Sequence, residues 1–169
     1  MMTFQELIAI DPFTWPDIGT SVLCGTLIGV ERQLRGKPVG IRTSSLIVLG
    51  TYIFLTISLG IHEASTDPTR IIGQIVTGIG FLGAGVMLSK DGVILGVTSA
   101  ATIWSLAAIG IIIPTAGNLP AIKMSLVVLA ILYLVDELEN YSTLFTRGVH
   151  VRYNTWKTRT NKKTDDRLS

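Results

Sequence analysis

GVILGVTSAATIWSLAAIGIIIPTAGNLPAI, residues 92–122, contains no Asp, Glu, Lys or Arg. Residues 43–61 and 71–89 are equally free of charge. About 20 apolar residues are enough for a helix to cross the hydrocarbon core of a bilayer. A chain of 169 residues has too little core to hide three such runs from water. The reading is an all-α polytopic membrane protein.

Residues 92–122 are too long for one crossing, and Pro114, Gly117, Asn118 and Pro120 form a turn cluster inside them. Two helices are therefore expected there, near residues 95–113 and 121–139. Upstream, residues 16–33 form a first helix with Trp15 as its interfacial anchor, and residues 43–61 a second. A third opens at Asp67-Pro68-Thr69-Arg70, where Asp67 caps free N–H groups and Pro68 suits the first turn. It runs to about residue 88. The whole reads as about five transmembrane helices packed through Gly/Ala-rich faces. Residues 1–15 are expected outside the cytoplasm, 16–140 form the transmembrane domain, and 141–169 are a basic cytoplasmic tail.

Composition agrees. Charged residues make up 15% of the chain, against ~25% in a soluble domain, and mean hydropathy is +0.52. Residues 1–31 carry four acidic side chains and no Lys or Arg, whereas residues 147–169 carry seven Lys/Arg against Asp165 and Asp166. Loops rich in Lys and Arg stay cytoplasmic. Arg32, Arg35, Lys37 and Arg42 in the first loop, together with the tail, predict N-terminus outside and C-terminus inside. Lys90 falls inside as well. Lys123 falls outside, where its stem can snorkel to the headgroups.

No positive n-region precedes the first helix, so that helix is expected to direct insertion itself. The lone Cys24 excludes an intrachain disulfide and a Cys-built metal site. His62 and His150 lie in loops on opposite sides, and no phosphate loop, Ser/His/Asp set or HExxH occurs. The expectation is no enzyme and no cofactor; whether any metal binds is left open.

Helices in lipid associate through small residues rather than hydrophobic burial. Gly25 and Gly29 form a GxxxG in the first helix. The third carries Gly73, Gly78, Gly80, Gly83, Ala84 and Gly85. Each Gly costs about 1 kcal/mol of helix propensity relative to Ala, so such density needs a reason. Tight packing of Gly78, Gly80, Gly83 and Gly85 is the first. An unwound segment lining an ion site is the second, although no acidic residue lies in 71–89. Trp104, in mid-helix, is expected to face another helix.

The polar candidates form two sets. Glu31 and Arg32 end the first helix after a 13-residue uncharged run, residues 18–30. Polar groups at that depth are costly and usually paired. Glu31 could bridge to Arg42 at the start of the second helix, or both could snorkel to the interface. On the other face, Asp67 and Arg70 lie three apart and can pair, with Gln74 one turn deeper. Asp136, Glu137 and Glu139 end the last helix on the inner side. Residues 147–167 form a basic tail suited to anionic lipid headgroups. Nucleic acid is not an expected partner.

Three segments together resemble the MgtC/SapB family of bacterial inner-membrane proteins. They are GTLIGVER at 25–32 with GIRT at 40–43, DPTRIIGQIVTGIGFLGAG at 67–85, and GVTSAATIW at 96–104 with AAIG at 107–110. The resemblance covers about residues 20–140. It implies a bacterial inner-membrane protein linked to magnesium limitation, to cation and pH homeostasis and, in some members, to survival inside host cells. Some members look like regulators of other membrane machines, the ATP synthase included. Longer members have a soluble C-terminal domain where this chain has only its basic tail, so it reads as a short form. Ser44-Ser45 stands where many relatives place a His.

Two functions remain open. One is a non-enzymatic module that modulates ion homeostasis through a membrane-protein partner or its own oligomer. The other is a transporter or channel for Mg2+ or another cation. Magnesium favours carboxylates and water, and few carboxylates lie within these spans. The first is the favoured expectation.

Overall fold

The computed structural model describes residues 8–61, 68–90 and 93–141. Five helices occur among them: α1 (Trp15–Leu34), α2 (Ile41–Gly60), α3 (Pro68–Gly85), α4 (Val97–Ala116) and α5 (Asn118–Tyr141). Between α3 and α4, β1 (Leu88–Lys90) pairs antiparallel with β2 (Val93–Leu95). Three helical segments are long and apolar enough to cross a membrane, namely Ile41–Gly60, Val97–Ala116 and Asn118–Val135. This is a helical membrane protein. In α1 the apolar stretch is flanked by Asp17 and by Glu31 and Arg32, and α3 is diluted by glycine. The predicted cap Asp67 and the tail at 147–167 lie outside the described residues.

Two compact units divide the chain, Met1–Leu129 and Ala130–Ser169. The first holds α1 to α4, the hairpin and the start of α5. In the second, α5 continues to Tyr141, with Ile131, Leu134 and Val135 exposed.

Local chemistry sets the helix ends. The Thr14 hydroxyl accepts the Asp17 N–H at 3.2 Å, capping α1, and Pro16 occupies its first turn. α2 has no side-chain cap of its own. Gln33 of α1 supplies one, its Oε1 accepting the Ile41 N–H at 3.4 Å. α4 ends at Gly117, whose φ of +95° turns the chain so sharply that α5 starts at the next residue. Pro114 and Pro120, expected in a loop, therefore lie inside the two helices.

α1 packs along α2, α2 along α4, and α3 along α4, while α3 touches α2 only lightly. The tightest approach is α1 on α2. A Cβ on Gly25 would run into the Ser45 Cα, and one on Gly29 would lie 2.5 Å from the Ile41 Cα. The GxxxG thus brings two backbones together, and the Thr26 and Ser45 hydroxyls meet at 3.2 Å beside it. Gly110 does the same for α4 on α2, its added Cβ lying 2.6 Å from the Val48 carbonyl oxygen. Ile28, Val48, Leu55 and Leu106 fill the space between these helices and are fully buried.

Three expectations are corrected. First, Gly78, Gly80 and Gly85 pack on no other helix among the described residues: nothing there lies within 4 Å of a Cβ built on any of them, and at Gly83 only Ala100 stands at an ordinary 3.6 Å. α3 lies at the edge of the bundle, and Gly83 is the one buried residue among its described side chains. Second, α3 stops at Gly85 instead of reaching residue 88. The chain turns through Val86 and Met87, and Leu88 pairs with Leu95. Gly96 makes the turn into α4 possible, with φ +88° and the Val86 carbonyl oxygen standing where a Cβ would go. Third, Trp104 is 56% exposed and faces away from the chain. The side of α4 that meets α2 is lined by Ile103, Leu106 and Gly110, which turns position 104 outward.

Candidate functional site

The last turns of α1 carry Glu31 and Arg32 into the bundle. Close contact at Gly29 brings this end of α1 against the start of α2. Glu31 is 7% and Arg32 3% exposed. The Arg32 Nη2 donates to the Ser99 Oγ at 2.9 Å, joining the end of α1 to the first turn of α4. Its Nη1 stands 4.0 Å from the Glu31 Oε2. The Arg35 Nε lies 2.7 Å from the Glu31 Oε1, one turn further on. That contact is a short ion pair without hydrogen-bond geometry, and neither Glu31 oxygen accepts a hydrogen bond among the described residues. One carboxylate faces two guanidiniums.

The loop that follows is tight. Gly36 has φ +62° and Val39 φ +70°. A β-branched residue in the left-handed region is strained by roughly 1–2 kcal/mol. Burial of the Val39 side chain and a hydrogen bond from the Ser44 hydroxyl to its carbonyl, at 3.2 Å, hold it there.

The predicted residues are brought together only in part. Glu31 and Arg32 share a site. Arg42 does not join them: it is exposed, and Glu31 pairs with Arg32 and Arg35 instead. The face of α2 that presents Ile41, Ser44 and Ser45 to α1 turns the intervening Arg42 outward. Arg70 and Gln74 are exposed on α3. They lie at the end of α3 opposite Gly83, which sits against Ala100 near Ser99, so they are remote from Arg32.

Three partners escaped the sequence reading. Ser99 gave no signal beyond being small; Arg35 could have been found from its i,i+4 spacing to Glu31. At the other end of α1, the Tyr52 hydroxyl accepts the Thr14 N–H at 3.2 Å and donates to the Asp17 Oδ2 at 3.3 Å. Tyr52 is buried and ties α2 to the start of α1. Among the described residues no three His, Cys, Asp or Glu side chains come together within metal-binding reach.

A groove of about 790 Å³ runs between α2 and α3, lined by apolar side chains together with Thr43, Thr51, Ser58 and Gln74. Gly50 and Gly78 leave its middle open.

The MgtC family model matches residues 18–141, which span α1 to α5 and both sides of the buried pair. The chain belongs to the MgtC family. It is 45% identical over 100 residues to YhiD of Escherichia coli K12, whose name marks it as a proposed magnesium transporter; the match covers 55% of this chain and 46% of YhiD. It is 42% identical over 90 residues to Protein MgtC of Brucella abortus strain 2308, covering 53% of this chain and 37% of that protein. Protein SapB of Bacillus subtilis 168 is 36% identical over 110 residues, 60% of this chain and 47% of SapB. The matched region is thus less than half the length of these relatives. No solved structure matches the chain.

Proposed function

We propose that this MgtC-family chain is a non-enzymatic protein of the bacterial inner membrane that modulates ion homeostasis, of magnesium and pH above all, by acting on a partner membrane complex or through its own oligomer. The observation that carries this reading is the state of Glu31. Among the described residues it is the only buried carboxylate, and it is engaged by two arginines. Magnesium is held by carboxylates and water, and the guanidiniums beside this carboxylate compete with a dication for it. The exposed glycines of α3 leave a helix face free for a neighbour in the membrane. The proposed orientation is N-terminus outside and C-terminus cytoplasmic, with the tail at 147–167 on anionic headgroups.

The second reading, cation transport, draws on the name of YhiD. Magnesium flux into liposomes, with and without the purified protein, separates the two. No flux above empty liposomes is expected, while Glu31→Gln in cells is expected to lose growth in low magnesium with the protein still folded. Robust flux that Glu31→Gln abolishes would overturn the modulator reading.

A further inference from the structure

We infer that the groove between α2 and α3 is a binding site for an anionic phospholipid, its acyl chains lying in the groove and its phosphate held by Arg42. The directions of the helices fix the two mouths of the groove. The start of α2 lies at the end of the bundle where α1 finishes, since Gly29 packs on Ile41. The end of α3 lies there too, since Gly83 meets Ala100 on α4 and α4 starts at the Arg32–Ser99 bond. The groove therefore has one mouth at Thr43 and Leu82 and the other at Ile61 and Ile71. Along α2 that distance is roughly 27 Å, at about 1.5 Å per residue, close to the ~30 Å thickness of bilayer hydrocarbon. The groove crosses the acyl region and opens at the headgroups.

Its volume of about 790 Å³ is in the range of pockets that enclose a small apolar ligand, roughly 300–1,000 Å³. Leu46, Ile47, Ile79 and Leu82 offer hydrocarbon to hydrocarbon near the Thr43 mouth. Immediately beyond Thr43 stands Arg42, exposed and outside the Glu31 ion pairs. A cation above an apolar slot matches a phosphate headgroup on acyl chains. A helix from a second copy could lie in the same slot but would leave that cation unmatched. The other mouth has Arg70 alone among described cations adjoining it.

The test uses the full chain purified in detergent, offered equal amounts of phosphatidylglycerol and phosphatidylcholine, with bound lipid counted by native mass spectrometry. Phosphatidylglycerol is expected to be retained in preference. Arg42→Gln is expected to weaken that preference about fivefold, the effect of one basic group at an anionic membrane surface, whereas Arg70→Gln leaves it unchanged. Gly78→Leu, which puts a side chain into the groove, is expected to lower retention of both lipids, with helix content and elution volume as in the parent. Leu46→Gln at the lip makes the same test should Gly78→Leu fail to fold. Equal retention of the two lipids by the parent protein overturns the inference, as does an unchanged preference in Arg42→Gln or an equal loss in Arg70→Gln. A lipid-free dimer that Gly78→Leu or Leu46→Gln dissociates also overturns it and assigns the groove to a second copy.

Discussion

Arg32 and Arg42 are both interfacial arginines by their place in the sequence, yet they do different work. Arg32 is buried, stands beside Glu31 and reaches across 67 positions to Ser99. Losing the charged hydrogen bond to Ser99 and one of the two guanidiniums that face Glu31 costs about 1.5–3 kcal/mol. Arg32→Leu is therefore expected to lower stability by that order, whereas Arg42→Leu stays within about 0.5 kcal/mol. Unfolding of both variants in mixed micelles checks the contrast; equal effects would contradict the burial of Arg32. Ser99→Ala removes one acceptor from a charged donor and is expected to cost about 1–2 kcal/mol by the same measurement. The sequence pointed to Glu31 and Arg32 because a run of only 13 uncharged residues leaves charges close to the hydrocarbon. It could not point to Ser99, because a serine in a run of small residues looks the same whether or not an arginine arrives from a distant helix.

Among the helices, glycine count misled and glycine contact decides. Gly25, Gly29 and Gly110 each lie against backbone of α2, so an added methyl has nowhere to go. Gly25→Ala or Gly110→Ala is expected to destabilise the bundle by about 1–3 kcal/mol through overpacking. Gly80→Ala, with open space around it, is expected to raise the stability of the monomer by up to about 1 kcal/mol through helix propensity. Thermal unfolding monitored by circular dichroism distinguishes them, and a strong loss in Gly80→Ala would show that α3 is covered within the chain. The GxxxG of α1 was legible because two glycines four apart share one face. The glycines of α3 were legible as unusual but not as unpacked, since spacing tells which residues share a face and not whether a neighbour comes to meet it. The hairpin was missed although Asp91-Gly92 is a turn pair of the kind that joins two strands. Three-residue strands beside an 18-residue helix carry too little alternation to stand out.

At the scale of the whole molecule, charge order predicts an odd number of crossings with the loop at 35–40 and the tail on one side. Reporter fusions after Gly36 and after Arg147 are expected to give the cytoplasmic signal, and a fusion after Gly117 the opposite one. The same signal at 117 and 147 would mean that α5 does not cross, against a span at Asn118–Val135 that is long and apolar enough to do so.

Composition and order alone determined that the chain is helical and lives in a membrane, where its helices begin and end to within a few residues, and which family it resembles. Those properties are local or additive: hydropathy sums along a segment, caps and turns act over four residues, and a family motif is a string. Tertiary structure alone decided that Arg42 turns away from Glu31, that Ser99 receives Arg32, that α3 stands at the edge with its glycines open, and that a groove separates it from α2. Each of these depends on how far a helix is rotated about its own axis against its neighbours. In a bundle whose helices are apolar on nearly every side, no hydrophobic stripe sets that rotation. Close contacts at Gly25, Gly29 and Gly110 set it instead, and only coordinates show which glycines make them.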